Sequence, residues 1–258
     1  GNGDRWHPQG VGRWLKALGI FGQRSHAKRL PADVFRLPNR QVALLLRHLW
    51  ATDGCISLRK AGQRGGPRVY FATCSEGLAH DVAALLLRMG IVARLRVVRS
   101  GDTRAVHTVD VTGGDDQRRF LDRVGAFGPR VGPAELLSAH LAATQANTNV
   151  DTVPVAVFAE VRSAMAKQGI SQRGMAALRG TSYGGTSHFR FAPSSATLAS
   201  YAHLLADERL ARWAETDLFW DRVVSVVPAG EAEVFDLTVP GPASWLADGV
   251  VSHNSGAI

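Results

Sequence analysis

Two apolar runs of helical length, each followed at once by short extended segments, constrain this chain more than any other feature. Val42 to Trp50 is broken only by Arg47 and His48 and stops at Asp53-Gly54, and Leu78 to Met89 stops at Gly90. A glycine directly after the last apolar position is a helix stop signal. After the first run, Ile56 to Arg59 and Arg68 to Thr73 read as strands around the basic loop Arg59 to Gly66. After the second, Ile91 to Val98 and His107 to Thr112 repeat the pattern. Helix, hairpin, helix, hairpin predicts an α+β unit between Val11 and about Gly128.

The rest of the chain changes character twice. Gly132 to Pro154 is rich in Ala, Thr and Asn with weak patterning, so 132–154 is expected to be a linker. Val155 to Trp213 reads as helical, with Ser171 and Ser182 as N-caps and Gly169 and Gly180 as punctuation. The spacing from Val161 to Ala206 is similar to the Cro/repressor type of helix-turn-helix, whose second helix enters the major groove. That resemblance makes Ser182 to Arg190 the reading segment, with Tyr183, His188 and Arg190 on DNA. From Trp220 onward the chain turns β-branched, and strands are expected at Arg222–Val227, Glu233–Val239, Ser244–Leu246 and Val250–Ser252.

With 258 residues the chain can bury more than one core. Thirty Lys+Arg against 22 Asp+Glu give a formal charge of +8, which points to a polyanionic partner. No apolar run reaches the ~20 residues that cross a bilayer, so no membrane role is expected. Gly1-Asn2-Gly3-Asp4 lacks a signal-peptide pattern, and Cys55 and Cys74 are the only cysteines, so the expected compartment is the cytoplasm. No Gly-x-x-x-x-Gly-Lys-[Ser/Thr] phosphate loop occurs, which argues against nucleotide hydrolysis by these residues.

The chemistry concentrates at His253-Asn254-Ser255. An Asn side-chain amide can attack its own backbone carbonyl, closing a succinimide and breaking the following peptide bond. His253 stands where it can protonate the departing amine, and the Ser255 hydroxyl can accept an acyl group beforehand. Val234-Phe235-Asp236-Leu237-Thr238-Val239, a Pro/Gly turn, and Trp245 to Asn254 together resemble the two C-terminal motif blocks of inteins, which lie on neighbouring strands of the Hint fold. The resemblance implies that Asp236 assists acyl transfer, that Asn254 cyclises, that Ser255 begins the host protein, and that splicing needs no cofactor. Many inteins carry a histidine seven residues after that aspartate, whereas position 243 here is Ala. Ser255-Gly256-Ala257-Ile258 and the Phe-Asp-Leu-Thr-Val-Pro-Gly-Pro wording resemble inteins of the replicative DNA helicase DnaB, which implies helicase exteins as hosts. The starting Cys or Ser of an intein and its Thr-x-x-His block do not occur, so an N-terminal intein segment is expected as a partner.

Leu46-Arg47-His48-Leu49-Trp50-Ala51-Thr52-Asp53-Gly54 resembles the LAGLIDADG motif of homing endonucleases. In that family two such helices pack side by side, and the acidic residue at each helix end holds a divalent cation against the scissile phosphates. The resemblance makes Asp53 the ligand of Mg2+, puts His48 where the family has a small residue, and puts Ala51 at the earlier acidic position. Gly22 to Pro31 resembles the basic block before the second such helix, and Lys28, 25 positions before Asp53, takes the place of its catalytic lysine. Leu85 to Ile91 resembles the helix closing that half. Arg59, Lys60, Arg64, Arg68, Arg94, Arg96, Arg99 and Arg104 are then expected along double-stranded DNA.

The expected layout is an α+β LAGLIDADG endonuclease half at 1–131, the linker, a small all-α helix-turn-helix-like module at 155–213, a β-rich Hint segment at 214–254, and host residues at 255–258. With one such acidic helix, the endonuclease is expected to be inactive in this chain. The competing expectation is a degenerate DNA-binding module without splicing or nuclease activity.

Overall fold

The computed structural model describes residues 9–59, 65–99, 101, 104–144, 152–233, 235, 237–241 and 243–253. The chain divides into two units, one of residues 1–146 with 232–258 and the other of residues 147–231.

In the first unit, helix α1 (Val11–Ala17) and two 3-10 turns, Ser25–Ala27 and Ala32–Arg36, precede the long helix α2 (Asn39–Asp53). Val42, Ala43, Leu46 and Trp50 recur at helical spacing and bury one stripe of α2. Gly54 caps α2 and is already the first residue of strand β1 (Gly54–Ser57). A Cβ on Gly54 would lie 2.5 Å from the Trp50 Cα and indole, so only glycine lets the strand leave directly over that ring. Strands β2 (Arg68–Thr73), β3 (Ala93–Val98) and β4 (Val106–Val111) complete an antiparallel sheet in the order β1-β2-β4-β3.

Helix α3 (Glu76–Arg88) stands between the two hairpins; Ser75 caps it by accepting the Leu78 amide at 3.1 Å. Gly90, at φ 69°, ends it as the sequence predicts. Helix α4 (Gly114–Arg123) follows β4. Ile56, Val69, Phe71, Val109 and Val111 form the buried face of the sheet, with Trp50 between Phe71 and Phe120 at ring distances of 5.7 and 4.8 Å. Each such side chain contributes about 1.5–3 kcal/mol by leaving water.

The linker expectation needs correction. Residues 131–143 form helix α5 (Val131–Ala143), which buries Ala134, Leu137 and Leu141 against the first unit's core. Its apolar stripe is thin and diluted by exposed Ala and His, which hides the period.

The second unit is all-helical: α6 (Val157–Lys167), α7 (Gln172–Leu178), α8 (Ser195–Leu205) and α9 (Glu208–Glu215). Phe158, Val161, Met165, Met175, Leu198, Tyr201, Leu205 and Leu210 make its core. Ser171 caps α7 as expected, while Ser194 and Asp207 cap α8 and α9. Ser182 caps no helix; the expected reading helix is a loop with one 3-10 turn, Gly185–Phe189. The Gly184-Gly185 pair, with Gly185 at φ 65°, explains the failure to propagate.

Toward the C-terminus, strands β5 (Ser244–Ala247) and β6 (Val250–His253) form an antiparallel hairpin closed by Asp248-Gly249, both at positive φ, the geometry that Asp-Gly favours. The expected strands at 222–227 and 233–239 are not formed among the described residues. Val223, Val224, Val226 and Val227 stand 74–88% exposed there. β-Branched residues favour a strand, but only pairing with a neighbouring backbone makes one.

Candidate nucleic-acid interface

The register of the four-stranded sheet sorts its side chains. Gly54, Ile56, Val69, Phe71, Val109 and Val111 share the core face. The alternate residues Cys55, Ser57, Arg68, Tyr70, Thr108, Asp110, Arg94 and Arg96 share the other face. That face is open and basic. The Arg68 guanidinium lies over the Tyr70 ring, 4.5 Å from its centroid. Thr108 Oγ1 donates to Asp110 Oδ2 at 2.7 Å, and Arg96 Nε reaches the same oxygen at 3.8 Å. Arg94 and Arg96 are exposed, as are Arg59, Arg99 and Arg104. Burial, and then the neighbouring Cys55, push the Tyr70 phenol above its ordinary value, so near neutral pH it keeps its proton and can donate a hydrogen bond. Lys60 and Arg64 lie outside the described residues.

Asp53 and the Lys28 backbone lie toward the same end of this sheet. Asp53 is the exposed last residue of α2, with Thr52 Oγ1 donating to its Oδ2 at 3.3 Å. It directly precedes Gly54, which pairs with Phe71. Four residues beyond Phe71, about 13 Å of extended chain, Ser75 Oγ donates to the Lys28 carbonyl at 2.6 Å. The basic segment is held there by a clamp. Arg29 Nε and Nη2 donate to the two carboxylate oxygens of Asp81 at 2.8 and 2.7 Å, and the Leu30 amide donates to Asp81 Oδ2 at 2.9 Å. Asp81 is 4% exposed. Its hydrogen bond first, and its charge second, raise the Arg29 pKa. A Cβ on Gly77 would meet Arg29 Cδ at 2.3 Å, so the glycine makes room for the arm. With its backbone fixed, the Lys28 side chain stays exposed.

Sequence reasoning singled out Lys28 and Asp53 but not Asp81, Ser75 and Gly77, which hold the Lys28 arm. The available signal was an acid on the apolar face of a helix between Leu78 and Val82, where a charge demands a partner.

His48, at the family's small-residue position, is exposed and lies tilted against Phe127, ring centroids 4.8 Å apart. Among the described residues no group of three or more His, Cys, Asp or Glu could hold a metal ion. A single exposed carboxylate such as Asp53 fits magnesium, which keeps several waters and uses one or two carboxylates plus substrate phosphates. In the second unit, Tyr183, His188 and Arg190 lie together in the loop after α7. At the other end of the chain, His253 closes β6 opposite Ser244, while Asp236, Asn254 and Ser255 lie outside the described residues.

The order helix, two strands, helix, two strands, helix runs from α2 to α4. Residues 40–125 match the LAGLIDADG-like domain. The match begins in α2 and ends just past α4, so it covers the whole sheet and leaves the clamped Lys28 arm outside. The chain is also 45% identical over 249 residues to the replicative DNA helicase DnaB of Rhodothermus marinus, covering 95% of this chain and 26% of that protein. It is 38% identical over 248 residues to DnaB of Synechocystis, covering 95% and 28%. Protein RecA of Mycobacterium tuberculosis matches at 28% over 273 residues, covering 95% and 33%. The chain thus spans about a quarter to a third of the length of these relatives. It carries a homing-endonuclease-like region within a DnaB-related sequence. No described helix is long and apolar enough to cross a membrane.

Proposed function

We propose that the chain is the C-terminal part of an intein hosted by a replicative helicase, with the LAGLIDADG-like domain as its passenger. The observation that carries this is the pair of matches along 95% of the chain to proteins named as a helicase and as RecA. A mobile segment carried by different hosts accounts for both.

In this reading the Asn254 amide nitrogen attacks the Asn254 carbonyl carbon, and the bond to Ser255 breaks. His253, fixed at the end of β6, gives a proton to the leaving amine. Before that step the Ser255 hydroxyl accepts the upstream acyl group, assisted by Asp236. The endonuclease-like sheet lies along duplex DNA. Lys28 faces the attacked phosphate and Asp53 would hold Mg2+, which supplies Lewis-acid stabilisation of phosphate charge when bound. Arg59, Lys60, Arg64, Arg68, Arg94 and Arg96 contact the backbone and bases, and Tyr183, His188 and Arg190 add contacts from the helical unit.

The test mixes this chain with the N-terminal splicing segment of a similar intein, which supplies the Thr-x-x-His block, and follows release of Ser255-Gly256-Ala257-Ile258 by mass spectrometry. Release is expected, to be abolished by Asn254→Ala and slowed about 100-fold by His253→Ala. Unchanged release from the Asn254→Ala chain overturns the mechanism. The alternative, a DNA-binding module with neither activity, draws on the His48, Ala51 and Ala243 departures and is what remains if no peptide is released.

A further inference from the structure

The segment 182–190 was expected to enter a groove as a helix, and it is too short and too glycine-broken to do so. Its geometry suits a different ligand. Phe189 anchors the loop inward, packing edge-on against Phe158 at 4.9 Å and tilted near Tyr201 at 6.4 Å. His188 Nε2 lies 2.8 Å from both the Gly184 amide nitrogen and the Ser182 carbonyl oxygen, so either ring tautomer ties the loop's two ends together. Thr181 N–H and Oγ1 both donate to the Ala176 carbonyl, securing the loop to α7.

With Phe189 turned in, the rings on either side are turned out: Tyr183 is 46% exposed and Phe191 72%. Each carries a cation. The Arg173 guanidinium lies 5.2 Å from the Tyr183 centroid and the Arg190 guanidinium 5.7 Å from that of Phe191. The Tyr183 and His188 rings are stacked at 6.5 Å. Along residues 157–191 the sequence holds five Lys or Arg and one acid, Glu160, which pairs with Arg209 at 4.0 Å. A cationic or acetylated peptide tail has no electrostatic reason to settle here. A chain of negative charges with flat π-faces does.

We propose that this loop is a base-stacking site for single-stranded nucleic acid, in which Tyr183 and Phe191 stack on unstacked bases while Arg173 and Arg190 hold the adjoining phosphates. This deepens the DNA-contacting reading of the helical unit and rests on it. A duplex keeps its bases stacked inside, so it offers these rings nothing without being opened. A single strand offers both faces of each base, and ring stacking is tolerant of sequence.

The experiment measures anisotropy of a labelled oligo(dT) of about 12 nucleotides, within the span of one such site, and of a labelled duplex, both with the full chain. The parent chain is expected to bind both. The Tyr183→Leu/Phe191→Leu chain, checked for an unchanged thermal midpoint, should bind oligo(dT) about tenfold or more weakly and lose distinctly less affinity for the duplex. Arg94→Ala/Arg96→Ala should do the reverse. Failure of the sheet reading shows as duplex affinity indifferent to the arginine pair, whatever oligo(dT) does. Oligo(dT) binding that is undetectable in the parent, unchanged by the leucine pair, or lost in parallel with duplex binding overturns the proposal. Should the leucine pair lower the midpoint, Arg173→Gln/Arg190→Gln replaces it, with the same expected and overturning results.

Discussion

Asp116 accepts the Val92 amide at 3.1 Å and an Arg119 nitrogen at 3.0 Å, yet burial outweighs both and raises its pKa above the ordinary 3.8. The folded chain therefore holds this proton more tightly than the unfolded one. Its contribution is fully present below pH 3.8 and is lost as pH rises through the folded value. Asp116→Asn keeps an acceptor for Val92 and removes the charge. Its urea-unfolding free energy should fall less than the parent's between about pH 4 and pH 7; parallel profiles would show that another group is responsible. Asp81 is held instead by three hydrogen bonds, two from Arg29 and one from the Leu30 amide. Arg29 is 60% exposed, so the ion pair itself counts for little and the bonds to a buried acceptor count for more. Asp81→Ala is expected to cost about 1–3 kcal/mol in chemical denaturation and to leave the Lys28 arm unfastened. Neither carboxylate stood out in the sequence as a functional residue: the partner of Asp81 lies 52 positions away and the amide that Asp116 accepts lies 24 away.

At the level of elements, legibility followed the source of each element's stability. Helices α2 and α3 were readable because their apolar stripes are dense and their ends carry Gly54 and Gly90. Helix α5 was missed because three buried residues, Ala134, Leu137 and Leu141, suffice to hold it. The valines at 223–227 were read as a strand because composition reports preference, whereas pairing depends on what lies alongside. Segment 182–190 was read as a helix through a resemblance, and two adjacent glycines decided otherwise. Asp53 and Lys28 were singled out through a resemblance; the clamp that fixes the Lys28 backbone was not, since it is made by tertiary contacts. The junction of α2 and β1 tolerates no side chain at Gly54. Gly54→Ala drives a methyl into the Trp50 backbone, and an expected loss of at least ~2 kcal/mol should appear as a lowered thermal midpoint.

Taken as one molecule, the chain should bind duplex DNA with an affinity that drops steeply between about 50 and 200 mM salt, because neutralised phosphates release their counterions. Arg94→Ala should reduce the slope of log affinity against log salt by about one. Arg96→Ala should reduce it by less, since Asp110 already offsets that charge at 3.8 Å. Isothermal titration across a salt series decides both, and equal slopes in the parent and Arg94→Ala would remove the sheet from the interface. The open face of that sheet has a further consequence. Its side chains alternate with the buried ones, so Arg68, Tyr70, Arg94 and Arg96 can be exchanged while Val69, Phe71, Val109 and Val111 stay in place. In the proposed reading, preference for a DNA site can therefore drift from host to host, or be rewritten in the laboratory, without renegotiating whether the protein folds.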